Sequence, residues 1–210
     1  MIYSKDPGFC FVHVYKVAGQ SVKLALRRQQ LHLVPGPLRT PAAKVVELPF
    51  AYAFRPLDAH ATAHEIRQWL GPDEWNRIFT FTFVRNPWDW QVSLYHFIQN
   101  NKLNYQRELV SSMTFDEYIR WRVVEDKHLQ SSFVVDKQGN QIVDFIGRFE
   151  NISDDFRFIC QRIGWDHLEL PHENVSKHAG YRSYYTDETA ALVAEHFAED
   201  IARFGYSFDE

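Results

Sequence analysis

A lysine that follows an apolar run, with a glycine three residues later and a serine just beyond, is suited to holding an anion. The run F-V-H-V-Y-K-V-A-G-Q-S, Phe11 to Ser21, has that form. A short loop between strand and helix points several backbone N–H groups, and the positive end of the helix, at one spot. Lys16 adds a mobile cation, Gly19 allows a close backbone approach, and Gln20 and Ser21 add side-chain donors. A nucleoside-triphosphate loop requires G-x-x-x-x-G-K-[ST], with lysine after the second glycine. Here Lys16 precedes the glycine of the loop, so that reading is a poor match.

The second constellation is F-T-F-V-R-N-P-W-D-W-Q-V-S, Phe81 to Ser93. Arg85 ends an apolar run, Pro87 suits a helix start, and Ser93 falls about two turns along that helix. A guanidinium grips a phosphate bidentately, and a serine hydroxyl can donate to the same group. An arginine at a strand end serves a structural ion pair equally well, so Arg85 alone does not decide.

Both constellations need a strand before them and a helix after. Phe9–Val14 reads as a buried strand and Gln20–Gln30 as a helix; Ile78–Val84 and Trp88–Gln99 repeat the pair. Leu31–Leu57 is broken by Pro35, Pro37, Pro41, Pro49 and Pro56 and reads either as a lid or acceptor-binding segment or as a variable surface insertion. Thr62 to Glu65 is a capping box that opens a helix through Leu70, and Thr114 to Glu117 opens another towards Val124. Phe133–Val135 and Ile142–Phe145 flank Asp136–Asn140 and predict a hairpin. Ser153 is the expected cap of a helix whose Phe156, Ile159, Cys160 and Ile163 share one face, with Gly164 ending it. A last helix is expected over Asp187–Phe204. This alternation predicts an α/β fold in one domain spanning residues 1–210.

Taken in order, the two constellations resemble the sulfotransferase family, in particular its carbohydrate-type and bacterial branches. Their motifs read P-K-[TA]-[AG]-G-[TQ]-S and F-V-R-N-P-x-D-x-x-x-S. The likeness continues in I-G-R-F-E-N (Ile146–Asn151), N-V-S-K-H-A-G-Y-R-S-Y-Y (Asn174–Tyr185) and D-I-A-R-F-G-Y-S-F (Asp200–Phe208). It covers nearly the whole chain outside 31–57 and 100–113. The resemblance implies a P-loop-like three-layer sandwich with a central, mostly parallel sheet flanked by helices. It implies 3′-phosphoadenosine 5′-phosphosulfate as donor, adenosine 3′,5′-bisphosphate as product, and no metal. By the same resemblance Lys16, Ala18, Gly19, Gln20 and Ser21 hold the sulfate end and Arg85 and Ser93 hold the 3′-phosphate; Lys177 and Arg182 read equally as cations that neutralise the donor's phosphates and as solvated surface charges. Tyr15 stands where the family has proline, and Val17 where it has threonine or alanine, which removes one possible donor to the sulfate.

Sulfuryl transfer moves a tetrahedral anionic group in line, as phosphoryl transfer does. Lys16 and the loop N–H groups would stabilise charge on the leaving oxygen, and the acceptor hydroxyl needs a base. His60 is the candidate base, just ahead of the capped helix where this branch of the family often carries a histidine. His64 and Glu65 are the alternatives. His13 reads as a hydrogen-bonded core residue, and Glu150 as an ion-pair partner rather than a base. Trp88, Trp90, Tyr95 and Phe97 read as core rather than as a sugar platform.

The bulk numbers bound the rest. The chain has 210 residues, 45% of them hydrophobic and 24% charged, which is globular rather than disordered composition. A formal net charge of −4 argues against broad nucleic-acid binding, which needs a basic face. Cys10 and Cys160 read as buried reduced thiols, and no run is long enough for a membrane span. A soluble, cytoplasmic protein is the expectation. The acceptor is open: saccharide, lipid headgroup, peptide tyrosine and small alcohol all fit, and oligomeric state is not legible. Two other readings compete, a catalytically silent nucleotide-binding module of the same fold and a metal hydrolase using His60 and His64. For the second, Ala61 stands where a zincin has glutamate, and a cap at Thr62 leaves His60 outside the helix.

Overall fold

Two phenylalanine-rich runs make the centre of the sheet. In the computed structural model, which describes residues 1–32, 58–125, 128–171 and 180–209, β1 (Ile2–Ser4), β2 (Phe9–Phe11), β3 (Phe79–Val84) and β4 (Phe145–Arg148) form one sheet in the order β1-β2-β3-β4. β1 pairs antiparallel with β2, while β2–β3 and β3–β4 are parallel. Phe9, Phe11, Phe81 and Phe83 are fully buried, and Phe11 and Phe81 stack with centroids 5.4 Å apart. The threonines of β3 satisfy their hydroxyls inside the sheet. Thr82 donates to the Val12 carbonyl at 2.7 Å, and Thr80 donates to Asp144 at 2.8 Å through its hydroxyl and at 2.7 Å through its backbone N–H. Such pairing removes the cost of burying polar groups between large rings.

The described residues divide into two compact units, Met1–Val84 with Ser132–Glu173 and Arg85–Ser131 with Asn174–Glu210. The first holds the whole sheet together with α1 (Gly19–His32), α2 (Ala63–Leu70), α3 (Pro72–Trp75) and α7 (Ile152–Arg162). Thr62 caps α2 in a full capping box. α7 buries Phe156, Ile159 and Cys160, as its spacing predicts. Gly147 in β4 lies so close to the Phe83 ring that a Cβ there would sit 2.6 Å from it, which fixes a glycine opposite this phenylalanine of β3.

The second unit is helical: α4 (Pro87–Asn100), α5 (Arg107–Ser111), α6 (Phe115–Glu125), α8 (Asp187–His196) and α9 (Ala198–Phe204). α4 starts at Pro87 with Asn86 as its cap, and the Asn86 side chain accepts from the Trp88 N–H. Trp88, Trp90 and Tyr95 are buried, as core residues should be, whereas Phe97 is exposed. The Thr114–Glu117 box is present, with the Glu117 carboxylate accepting from Thr114 N at 2.8 Å.

The fold class is therefore α/β with a four-stranded, mostly parallel sheet and helices, in keeping with a P-loop-like three-layer sandwich. Several element boundaries differ from the sequence reading. Only Phe9–Phe11 of the first run is regular strand, though Val12 N–H still donates to the Phe81 carbonyl. The expected hairpin is a turn closed by one bridge, Val135 to Gln141; Phe133 lies in a 3₁₀ turn and Phe145 belongs to β4. α7 begins at Ile152 out of a 3₁₀ turn (Phe149–Asn151), so Ser153 lies inside the helix and does not cap it. The last helix is two, broken at Phe197, and Thr186 caps the first of them in a box with Thr189. β1, α3 and α5 have no counterpart in the sequence reading; each is five residues or fewer, too short to carry a period.

α1 continues through Leu31 and His32. The rest of the proline-broken segment, 33–57, lies outside the described residues, and so does Lys177. Cys10 and Cys160 are buried free thiols, each pushed up to about 12 by burial. Among the described residues no helix is long and apolar enough to cross a membrane.

Candidate functional site

The loop between β2 and α1 departs from ordinary backbone geometry at two residues that are not glycine. Lys16 has φ 64° and Ala18 has φ 58°, both left-handed. That conformation costs about 1–2 kcal/mol for an L-residue. It persists only where the surroundings impose it, and such residues gather at ligand clamps. Backbone turns containing left-handed residues direct successive N–H groups into one concavity, which is how proteins hold anions. α1 starts immediately after, at Gly19, and its first turn carries no acidic residue. The described helices α2, α4, α6, α7 and α8 all have an acid in their first turn. An anion at the start of α1 thus meets the helix dipole without a competing carboxylate. Ser21 is buried and Gln20 exposed in that same first turn.

Gly19 also meets a close approach from within the chain. Its φ is not positive, and a Cβ placed on it would collide with the His13 imidazole, at Nε2 and Cδ2. A side chain of this chain thus by itself requires a glycine there. His13 itself is only 4% exposed, and its Nδ1 has no hydrogen-bond partner among the described residues. Burial, reinforced by the charge of Lys23, pushes its pKa down to about 2. The ring is uncharged at neutral pH.

His60 belongs to the same cluster. Its Nδ1 lies 3.0 Å from the His13 carbonyl oxygen. A carbonyl can only accept, so Nδ1 carries the proton and Nε2 is the proton-accepting nitrogen. The His60 ring lies 4.4 Å from that of His13, and Tyr15 meets it edge-on at 5.9 Å. Its backbone N–H donates to Asp58 at 2.8 Å. Burial is the main reason its pKa falls below the usual histidine range, and Lys23 acts in the same direction. The structure therefore brings His60 to the loop that carries Lys16 and Gly19. Glu65 closes the capping box of α2 through Thr62 N at 2.7 Å, and that occupies the carboxylate that sequence offered as another base. His64 sits in the first turn of α2 with Nε2 buried. Tyr15, which replaces the family's proline, also contacts Phe133 edge-on at 6.0 Å.

In the second unit Arg85 is 4% exposed and forms the ion pair that its position allowed, Nε to Asp89 at 2.7 Å. Its backbone is fixed separately: the N–H donates to Gln130 Oε1 at 2.9 Å and the carbonyl accepts from Gln130 Nε2 at 2.8 Å. Gln130 is held in turn by Asp200, which accepts from the backbone N–H of Gln130 and of Ser131, each at 2.8 Å. Ser93 lies on α4, 7% exposed. Arg182 stands in a 3₁₀ turn (Tyr181–Tyr184), donates from Nε to the Phe208 carbonyl at 3.1 Å and covers the Tyr181 ring. Asn86, next to Arg85, ties in the same C-terminal segment through Ser207 at 2.9 Å. Glu150 lies in the 3₁₀ turn before α7.

Sequence reasoning missed the supporting role of His13, Gln130 and Asp200. Nothing in their local sequence marks them, because their partners are 45 to 70 residues away or on the opposite side of a loop. A hollow of about 460 Å³ lined by Arg67, Trp75, Asn76, Ile78, Ile142 and Asp144 contains none of the expected site residues. Its Asp144 is committed to Thr80 and its Trp75 to the Ile142 carbonyl. Among the described residues no group of three or more His, Cys, Asp or Glu side chains is placed to hold a metal ion.

A strand, a loop with two left-handed residues and an acid-free helix start make an α/β arrangement of a kind suited to an anion. The chain belongs to the sulfotransferase family, which it matches over residues 1–207. Transfer of sulfuryl groups is the general chemistry of that family. No curated protein matches the chain.

Proposed function

We propose that the protein transfers a sulfuryl group from 3′-phosphoadenosine 5′-phosphosulfate to an acceptor hydroxyl, a saccharide being one candidate acceptor. The observation that carries this reading is the left-handed pair Lys16 and Ala18 ahead of the acid-free start of α1, in a chain of this family. The donor would supply the activated sulfuryl group and, in adenosine 3′,5′-bisphosphate, a good leaving group.

Lys16 and the N–H groups of Ala18, Gly19, Gln20 and Ser21 bind the phosphosulfate end and neutralise charge on the departing oxygen. Arg85 and Ser93 bind the 3′-phosphate. Asp89 accepts from Arg85 Nε at 2.7 Å, which orients the guanidinium. Lys177 and Arg182 add positive charge. His60 accepts the acceptor's proton at Nε2, its other nitrogen being held by the His13 carbonyl. The bond to sulfur from the acceptor oxygen forms as that to the leaving phosphate oxygen breaks, and the proton passes to His60.

A nucleotide-binding module without turnover shares every binding feature and differs only in product. The test is formation of adenosine 3′,5′-bisphosphate from the donor across a panel of saccharide and simple alcohol acceptors. Lys16→Ala should lower turnover by about 10²–10³. Near-normal turnover in that variant would remove Lys16 from the chemistry, and donor binding with no product from any acceptor would favour the silent module.

A further inference from the structure

We infer that His13 is a positioning residue: its ring is the surface on which Gly19 and His60 are both set, and its carbonyl fixes the His60 tautomer. The inference rests on the proposed function, in which Gly19 belongs to the donor loop and His60 is the base.

Three contacts carry it. A Cβ on Gly19 would collide with the His13 ring, which supplies the three nearest atoms. Gly19 has no positive φ, so alanine is conformationally acceptable there and the bar is steric. The same imidazole lies 4.4 Å from the His60 ring at an interplanar angle of 33°. The His60 Nδ1–H then donates to the His13 carbonyl at 3.0 Å. One buried side chain thereby sets the position of the first residue of α1, which follows Lys16 and Ala18 in the loop, and of the proton-accepting ring. Lengthening Gly19 would displace His13, and with it His60.

The charge state of His60 depends on the same packing. Its neighbours with charge or a titratable group are His13 and Tyr15 from the strand end and loop, Asp58 from its own segment, Lys23 from α1 and the amine of Met1. Asp58 favours the protonated ring; Lys23 and the amine oppose it; burial outweighs all of these. His13, itself neutral, excludes water from one side of His60 without adding a charge. Removing the His13 side chain keeps the backbone carbonyl, and so the tautomer, but admits water. The His60 pKa should then climb towards its ordinary value of about 6.5.

The experiment compares wild type, Gly19→Ala, His13→Ala and the double variant. Binding of adenosine 3′,5′-bisphosphate is measured by calorimetry, and the His60 ring protons are titrated by NMR. Gly19→Ala should lose about tenfold or more in affinity, as overpacking of a tight contact does. The double variant should recover to within about threefold of His13→Ala, because the obstructed ring is gone. His60 should titrate at higher pH in His13→Ala than in wild type. If the double variant binds no better than Gly19→Ala, the glycine serves the ligand directly and the steric half of the inference is wrong. An unmoved His60 titration would overturn the other half. Should His13→Ala not fold, His13→Val replaces it with the same expectations. Wild-type protein that binds no adenosine 3′,5′-bisphosphate contradicts the donor reading itself, and the His60 titration still decides the role of His13.

Discussion

Gln130 and Arg85 exchange two hydrogen bonds, Arg85 N–H to Gln130 Oε1 at 2.9 Å and Gln130 Nε2 to the Arg85 carbonyl at 2.8 Å. A side-chain amide thus pairs with the backbone of the residue that follows β3, as a neighbouring strand would. The pairing fixes the Arg85 backbone where regular strand structure has ended, while Asp89 fixes the side chain. Behind both stands Asp200, fully buried, with its carboxylate held by two backbone N–H groups. Burial raises its pKa, and the N–H bonds oppose that rise.

Asp200→Ala should destabilise the fold by about 2–4 kcal/mol, since two buried N–H groups lose their acceptor. For a chain of this size that lowers Tm by roughly 5–15 °C. Thermal unfolding followed by circular dichroism checks it, and a Tm within about 1 °C of wild type would show that the contact carries little.

Arg85→Lys tests the phosphate role with the charge retained. Lysine loses the fork geometry that a phosphate engages. Affinity for adenosine 3′,5′-bisphosphate should fall about 10–100-fold, while affinity for adenosine 5′-phosphate, which has no 3′-phosphate, should hardly change. Equal losses for both nucleotides would mean that Arg85 acts on the fold alone.

Much of this was legible beforehand where the signal was local. The two apolar runs, the Thr62 and Thr114 capping boxes, and the Phe156-Ile159-Cys160 face are patterns within a few residues, and the structure follows them. The fold class came from the order of those elements. What was hidden is non-local or conformational. The left-handed backbone falls on Lys16 and Ala18, residue types that give no warning of it, and Gly19 is helical. His13 is buried, as the sequence reading expects, and only its contact with His60, 47 positions on, was hidden. The break at Phe197 was unmarked too, since no glycine or proline stands there.

Stability should depend on pH through His13. Its pKa is about 2 in the folded protein and near 6.5 when unfolded, so the unfolded chain binds the proton more readily. Stability is therefore intact above about pH 6.5 and declines as pH falls below it, by up to about 1.4 kcal/mol per unit from this group. Denaturant titrations at pH 7 and pH 5 should differ by about 2 kcal/mol, and His13→Asn should remove most of that difference. An unchanged pH dependence in the variant would show that the His13 ring is protonated as easily in the fold as outside it.

The proposed donor is a 3′-phosphorylated nucleotide. Thermal unfolding with adenosine 3′,5′-bisphosphate, run beside AMP, ADP and ATP with magnesium, tests it most directly. A ligand at a hundred times its Kd stabilises by about 2.7 kcal/mol, which is a rise of roughly 5–10 °C for a chain of this size. The account predicts that rise with the 3′,5′-bisphosphate and little with the other three. No shift, or a larger one with ATP and magnesium, would contradict it.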